Sequence, residues 1–249
     1  MKISIITVCY NSVKTLERTL QSVAAQDWPN IEHIVIDGGS TDGTFKIIER
    51  YRSNLSYFVT EPDEGIYDAM NKGLEVVSGD IICILNADDY YYSSTTLSYV
   101  ALKIQESNLE ALMGDVEFFH AMNPEVVVRR YRSDRFRPKR LSWGWMPAHP
   151  ALFLKRSVID RVGKFRKDYS IAGDFEFIVR VFKDPKLRYE YVHKVMVRMQ
   201  LGGVSNSGPR SKILLNLEVM RACRENGLST NFFKILAKYP LKVLENFFL

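Results

Sequence analysis

The chain lacks the features that mark several classes of protein. Its three cysteines, Cys9, Cys83 and Cys223, have neither metal-site nor redox spacing, which predicts reduced thiols in a cytosolic protein. No apolar run approaches the length of a membrane-spanning helix, and the first apolar run is too short and too polar for a signal peptide. With 46% hydrophobic and 25% charged residues among 249, the composition is that of an ordinary globular protein.

Charge is unevenly spread along the chain, although the net value is only +5. Residues 129–140 are dense in arginine with interleaved aromatic residues, and the C-terminal residues are also basic. Such stretches suggest a polyanionic partner, which could be phosphate groups, an anionic membrane surface or nucleic acid. Each stretch taken singly is equally compatible with an ordinary solvated face of the protein.

The first part of the chain alternates between two periodicities. Apolar runs predict strands at 3–8, 31–36, 57–60 and 81–85, and helical spacing predicts helices at 13–26, 44–51 and 67–77. Asn11 or Ser12 is the expected N-cap of the first helix. This alternation predicts βαβ units with a parallel core.

Polar or acidic loops follow all four of these strands, at 9–11, 37–43, 61–63 and 86–89. Open parallel sheets bind ligands outside the carboxyl ends of their strands. The sequence therefore predicts one shared site at this edge of the sheet.

After residue 110 the pattern changes to a mixed one. The sequence predicts hairpin strands at 112–119 and 126–131, further strands at 151–154 and 189–199, and helices at 156–162, 174–182, 209–226 and 230–248. Two domains with a boundary near residue 110 are compatible with this pattern, but one continuous sheet fits it better.

The segment Asp80 to Asp89 ends an apolar run abruptly in Asn86, Asp88 and Asp89. Carboxylates this close repel one another unless a cation lies between them, and oxygen-only ligands suit Mg²⁺ or Mn²⁺. The alternative is an Asn/Asp turn after a strand, since these residues favour turns for local reasons. On this segment alone the two interpretations are evenly balanced.

The loop from Asp37 to Gly43 combines glycines, hydroxyls and two carboxylates. It lacks the Gly-Lys-Ser/Thr ending of nucleoside triphosphatases and the Gly-x-Gly-x-x-Gly of dinucleotide-binding folds. Its carboxylates suit a base edge or a ribose hydroxyl better than a phosphate.

Four segments, 3–11, 34–44, 61–73 and 85–89, together closely resemble the family 2 glycosyltransferases with a GT-A fold. The likeness is closest to bacterial members that build exopolysaccharide and lipopolysaccharide. It is strong over about the first 90 residues. It continues more loosely through 146–151, 172–176 and 202–205.

The resemblance implies an α/β fold with a Rossmann-like mixed sheet, flanked by helices and followed by a C-terminal helical extension. The GT-A domain would span 1–208, with a donor-binding half at 1–110 and an acceptor-binding half at 111–208, and the extension would span 209–249. The implied activity is inverting transfer from a nucleotide-diphosphate sugar, preferably a UDP-sugar, to a glycan or lipid-linked acceptor in cell-surface polysaccharide synthesis.

The resemblance also assigns roles to residues. The donor nucleotide-sugar would be held by Thr7, Cys9, Tyr10, Asn11, Asp37, Ser40, Asp63, Lys72, Asn86, Ala87 and Asp88. Mg²⁺ or Mn²⁺ would bind at Asp88, with Asp89 beside it. Asn86 departs from the family's Asp-x-Asp pattern, which weakens its claim as a metal ligand.

The same resemblance points to Asp174 as the catalytic base, with Glu176 as the second candidate. The alternative is that Asp174 only caps the predicted helix at 174–182. His149 lies between two prolines, and we expect an exposed loop that aims it at the acceptor or the pyrophosphate. The alternative is a structural role for this histidine. Trp143 and Trp145 could stack on a sugar or lie in the core. The segment 202–205 could close over the pyrophosphate or form an ordinary turn.

The segment 230–249 is basic and rich in bulky aromatic residues, and Pro240 would kink a helix there. It could lie in a membrane interface, pack on the core or form a homodimer; a lipid-linked acceptor favours the first. The expected location is cytoplasmic, at the inner face of the cell membrane if the acceptor is lipid-linked. The alternatives are a non-catalytic nucleotide-sugar-binding relative or a nucleic-acid-binding protein, but no nucleic-acid-binding module is recognisable in the sequence.

Overall fold

The computed structural model describes residues 1–202 and 208–237. Its strands are β1 Ile3–Cys9, β2 Ile31–Asp37, β3 Tyr57–Thr60, β4 Ile81–Ile84, β5 Tyr90–Tyr91, β6 Ala111–His120, β7 Asn123–Tyr131, β8 Leu152–Lys155 and β9 Tyr189–Gln200. Its α-helices are α1 Leu16–Ala24, α2 Thr44–Arg50, α3 Ile66–Val76, α4 Thr96–Glu106, α5 Arg156–Val162, α6 Gly173–Phe182, α7 Pro209–Glu225 and α8 Phe232–Leu236. Short 3-10 turns lie at 52–54, 138–143 and 149–151.

The strands form one mixed sheet in the order β3-β2-β1-β4-β8-β6-β9-β5, with β7 paired to β6. The first four strands are parallel neighbours, as the sequence predicts. Beyond them, β8 pairs antiparallel with β4 and β6, and β9 runs parallel to β6. The carboxyl ends of β1 to β4, β6 and β9 therefore share one edge of the sheet.

Helices cover both faces of the sheet because neighbouring residues of a strand point to opposite sides. Ile6 and Ile84 pack with α3, α6 and α7 on one face. Ile5 and Cys83 pack with α4 on the other face, where α1 and α2 cover the neighbouring strands. Burial on both faces explains why these strands read as almost continuous apolar runs.

The predicted N-cap of α1 is wrong. The helix begins at Leu16 after Thr15, not after Asn11 or Ser12. Asn11 has a φ of 49°, and its side-chain oxygen accepts the N–H of Thr41 at 2.9 Å, so its capping group serves a neighbouring loop instead. Helix α4 was not predicted from the sequence.

The described part of the C-terminal region is packed against the rest of the protein. Val219, Ala222 and Cys223 of α7 are buried in the same apolar cluster as α6. The division of the chain at residue 208 stays a prediction. The roles predicted for residues 203–205 and 238–249 also stay predictions, because these residues lie outside the described ones. Within the described ranges, no helix is both long and apolar enough to cross a membrane.

Candidate active site

The loops after β1 and β2 are fastened to each other by side chains. Ser40 Oγ accepts the N–H of Asn11 at 2.7 Å, and Asn11 Oδ1 accepts the N–H of Thr41 at 2.9 Å. Asp42 accepts the N–H of Val13 at 3.0 Å. The predicted residues Asn11 and Ser40 are thereby brought together at the sheet edge.

Asp37 shapes the turn that follows β2. Its buried carboxylate accepts the backbone N–H of Ser40 at 3.1 Å, the Ser40 hydroxyl, and the thiol of Cys9 at 3.6 Å. Burial, followed by the charge of Asp37, raises the pKa of the Cys9 thiol well above its usual range. Cys9 is therefore a protonated donor to Asp37, and these two side chains hold the loop in shape.

Tyr10, Gly38 and Asp63 lie close together where the loops after β1, β2 and β3 meet. The Tyr10 ring is 64% exposed at the end of β1. A Cβ on Gly38 would overlap Asp63 Oδ2 and would lie 3.4 Å from Tyr10 Cδ2, so only glycine leaves both groups in place. An exposed aromatic face beside a carboxylate and bare backbone is suited to a flat, hydrogen-bonding ring.

Two other predicted donor residues have different surroundings. Lys72 donates to the Pro62 carbonyl at 2.9 Å and pairs with Glu61 at 2.7 Å, so it holds the loop after β3 in place. Thr7 is fully buried, and its hydroxyl hydrogen-bonds His33 Nε2 at 3.0 Å. The structure does not bring the Thr7 side chain to the surface where the loops meet.

The loop after β4 carries several poorly satisfied oxygens. Burial raises the pKa of Asp88, against the effect of the Arg18 charge. Asp89 is almost fully buried, and this burial raises its pKa well above the usual range. The charge of Asp88 is the second cause of the raised pKa. Within the described ranges, Asn86 Oδ1 and Asp89 Oδ2 are buried without a hydrogen-bond partner.

These oxygens fit a hard divalent cation shared with a substrate phosphate. Among residues 1–202 and 208–237 no group of three or more His, Cys, Asp or Glu could hold a metal by itself. Mg²⁺ commonly binds through one or two carboxylates, waters and substrate phosphates, so a complete protein cage is not required. Asp88 is the half-buried carboxylate of this loop and lies two residues after Asn86 in the sequence.

Asp174 lies in the first turn of α6 and is half-buried. Burial is the largest influence on its carboxyl and raises the pKa to about 6, with a smaller increase from Glu218 and opposing backbone hydrogen bonds. The N-cap of α6 is Ala172, although Asp174 Oδ1 does accept the N–H of Phe175 at 2.7 Å. A carboxylate with this pKa can take up a proton near neutral pH.

The side chains of the other candidates for proton transfer make structural contacts within the protein. Glu176 is buried and forms a fork with the Arg180 guanidinium at 2.8 to 3.0 Å. His149 lies in a 3-10 turn and packs edge-on against Phe165, and burial lowers its pKa to about 4. The expectation of an exposed His149 loop is wrong, because the flanking prolines are buried. Of these groups, Asp174 is the best suited to be a base.

The raised pKa of Asp174 predicts a measurable effect on stability. Below about pH 4 the carboxyl is protonated in both states; between about 4 and 6 it ionises mainly in the unfolded chain, so wild-type stability falls. Asp174→Asn removes this loss and should raise the free energy of unfolding by about 1–3 kcal/mol above pH 6. Urea unfolding at low and high pH measures the difference, and an equal gain at both would contradict it.

Comparison with known proteins identifies the family of this chain. Residues 4–163 match the family described as Glycosyl transferase family 2. A "PGL/p-HBAD biosynthesis glycosyltransferase" of Mycobacterium bovis (strain BCG / Pasteur 1173P2) is 31% identical over 211 residues, which cover 82% of this chain and 79% of the relative. The chain belongs to glycosyl transferase family 2.

Solved structures share the fold. The 1–349 fragment of S. aureus TarS in complex with UDP-GlcNAc gives a TM-score of 0.72 at 22% identity, over 92% of this chain and 68% of that one. The mannosyltransferase PcManGT from Pyrobaculum calidifontis, in complex with GDP-Man and Mn²⁺, gives 0.61 at 18% identity, over 98% and 80%. The curled mixed sheet is the GT-A fold, as predicted. The chain spans only 39% of the longer TarS chain.

The region matched to family 2 ends before the predicted base. Asp174 and helix α7 both lie after residue 163, outside the region that the family model matches. Tyr67 and Glu218 also border the base, and sequence reasoning did not identify either. Tyr67 lies directly after the acidic loop that follows β3, which is the one sequence signal that could have drawn attention to it.

Proposed function

We propose that this family 2 glycosyltransferase inverts the anomeric centre of a nucleotide-diphosphate sugar, preferably a UDP-sugar. The acceptor would be a glycan or a lipid-linked saccharide in cell-surface polysaccharide synthesis. The observation that carries the proposal is the half-buried Asp174, whose pKa is raised to about 6 and whose turn is bonded to the donor-side helix α3. Inversion by single displacement needs one such base.

The reaction would proceed in one displacement. Asp174 accepts the proton of the acceptor hydroxyl as the hydroxyl oxygen attacks the anomeric carbon of the donor sugar. The bond from that carbon to the phosphate oxygen breaks, and the nucleoside diphosphate leaves with the bonding electron pair. Tyr10 and Asp63 would hold the nucleobase of the donor on the side of the site opposite Asp174. The sugar of the donor would then face α6.

The acidic loop after β4 would act on the leaving group. Asp88, with the Asn86 amide oxygen beside it, would hold Mg²⁺ or Mn²⁺. When bound, the cation would neutralise the charge of the departing diphosphate. Support for a divalent ion comes from the solved mannosyltransferase named with GDP-Man and Mn²⁺, and support for a UDP-sugar from TarS structures with UDP and UDP-GlcNAc.

A panel of donors tests this function directly. The protein is incubated with UDP-glucose, UDP-galactose, UDP-GlcNAc and GDP-mannose in the presence of Mn²⁺, and nucleotide release is measured. One or more UDP-sugars should release UDP, and the release should require Asp174. Binding of donors without turnover would favour a non-catalytic relative, and turnover of GDP-mannose alone would contradict the UDP preference.

The C-terminal segment offers a separate prediction about membrane contact. Phe232 and Phe233 are 51% and 83% exposed, beside the basic residue Lys234. If the segment inserts into the interface, replacing either phenylalanine with serine should weaken binding to phosphatidylglycerol vesicles about tenfold. Vesicle sedimentation measures this, with neutral phosphatidylcholine vesicles as the comparison. Unchanged sedimentation of both variants would contradict membrane contact through these rings.

A further inference from the structure

The backbone of the turn before Asp174 is hydrogen-bonded to a single carboxylate, which comes from a helix distant in the sequence. Glu218 of α7 accepts the backbone N–H groups of Ser170 at 2.7 Å, Ile171 at 2.9 Å and Ala172 at 2.8 Å. Glu218 is itself only 7% exposed. Hydrogen bonds to a buried charged acceptor are stronger than bonds between neutral groups, so this turn is held firmly.

The next residue of the turn is held by a second side chain. The Tyr67 hydroxyl accepts the N–H of Gly173 at 2.8 Å and donates to the Ile171 carbonyl at 2.6 Å. A Cβ on Gly173 would lie 2.7 Å from the Tyr67 ring, so the ring lies flat against the backbone. Two side chains thus take up four consecutive N–H groups, and Asp174 is the next residue.

We propose that Glu218 and Tyr67 are positioning residues that fix the Asp174 carboxylate for proton transfer. This inference rests on the role of Asp174 proposed above. Each side chain comes from a different part of the fold: Glu218 from α7, and Tyr67 from the start of α3. Neither side chain acts on the reacting atoms; both act by holding the backbone of the base.

Tyr67 also joins the base to the donor side of the site. It follows Gly65, whose N–H is accepted by Asp63 at 2.9 Å, so the acidic loop and the turn 170–173 are connected through α3. A base that moves by about 1 Å can lose roughly 100-fold in rate. Loss of either contact should therefore lower kcat far more than it changes donor binding.

The charge of Glu218 supplies a second effect that a purely structural residue would not have. Two titratable side chains, Glu218 and Tyr67, interact electrostatically with the Asp174 carboxyl. The backbone N–H groups of its own turn also interact with this carboxyl. Glu218 raises the pKa of Asp174 by like-charge repulsion. Glu218→Gln keeps the shape and removes the charge, so the pKa of Asp174 should fall.

The test compares Glu218→Gln and Tyr67→Phe with Glu225→Gln as a matched control. Glu225 lies on the same helix and bonds Arg166 and Tyr169, but not the turn 170–173. The pKa of Asp174 is followed by carbon-13 NMR of aspartate-labelled protein, with the Asp174→Asn spectrum identifying the signal. Hydrolysis of the active donor from the panel gives kcat and KM, and calorimetry with UDP gives the affinity.

We expect Glu218→Gln to lower the pKa of Asp174 and to reduce kcat about 100-fold while the UDP affinity is kept. Tyr67→Phe removes one hydroxyl only, should still fold, and should also lower kcat more than it changes KM. The control should change neither the pKa of Asp174 nor kcat. An unmoved Asp174 signal and unchanged kcat in both variants would overturn the inference. If Asp174→Asn itself remained active, the proposed base would fail instead.

Discussion

Asp174→Asn should reduce the rate of sugar transfer by about 10³-fold, within the range of 10² to 10⁴ expected for a general base. The asparagine keeps the volume of the side chain and cannot accept the proton of the acceptor hydroxyl. The measurement is nucleotide release in the presence of acceptor, or hydrolysis of the donor if no acceptor is known. UDP affinity should stay within about twofold, because Asp174 is not among the residues proposed to hold the nucleotide.

The matched control is Asp160→Asn, the same substitution at an exposed carboxyl on α5. It should leave both rate and stability unchanged. Full activity of the Asp174 variant would contradict the assignment. Loss of activity together with loss of folded protein would also contradict it, because removing a half-buried carboxylate with a raised pKa should make the fold more stable above pH 6.

The second large effect should follow from the acidic loop after β4. Asp88→Asn removes the half-buried carboxylate that we propose as the cation ligand, and we expect it to abolish the Mn²⁺ dependence of UDP binding. Wild-type affinity should fall by about 100-fold, or about 3 kcal/mol, when EDTA removes the metal. Without the cation, the diphosphate would face the Asp88 carboxylate with no positive charge between them. Titration calorimetry with UDP, with Mn²⁺ or with EDTA, measures both.

Asn86→Asp is the informative companion variant. It restores the Asp-x-Asp pattern from which this chain departs, and the Asn86 amide oxygen is already buried without a partner in the described part of the chain. We expect equal or tighter Mn²⁺ binding in this variant. Wild-type UDP affinity that is indifferent to EDTA would contradict the metal assignment for the whole loop.

Much of the fold over the first 90 residues could be predicted from the sequence because its information is local. The apolar runs that became β1 to β4 end in polar loops, and parallel strands must place those ends at one edge. The grouping of Tyr10, Asn11, Ser40 and Asp63 follows from this geometry. Thr7 is the exception: strand residues alternate in direction, and the fold turns this hydroxyl toward His33.

The surroundings of Asp174 depend on contacts that no local sequence pattern contains. Glu218 is separated from the turn that it holds by more than forty residues, and Tyr67 by more than a hundred. Burial of Asp174, which raises its pKa, arises only when these elements pack together. The resemblance therefore pointed to Asp174 as the candidate base, but the sequence did not point to Glu218 or Tyr67, which hold the turn before it.

The most direct test of the central claim is the configuration of the sugar at the moment of its release. An α-linked donor that proves active in the panel is hydrolysed with water in place of the acceptor, and proton NMR records the anomeric signal before mutarotation. Single displacement assisted by Asp174 predicts that the β-sugar forms first. An α-sugar as the first product would contradict inversion, and with it the role assigned to this base.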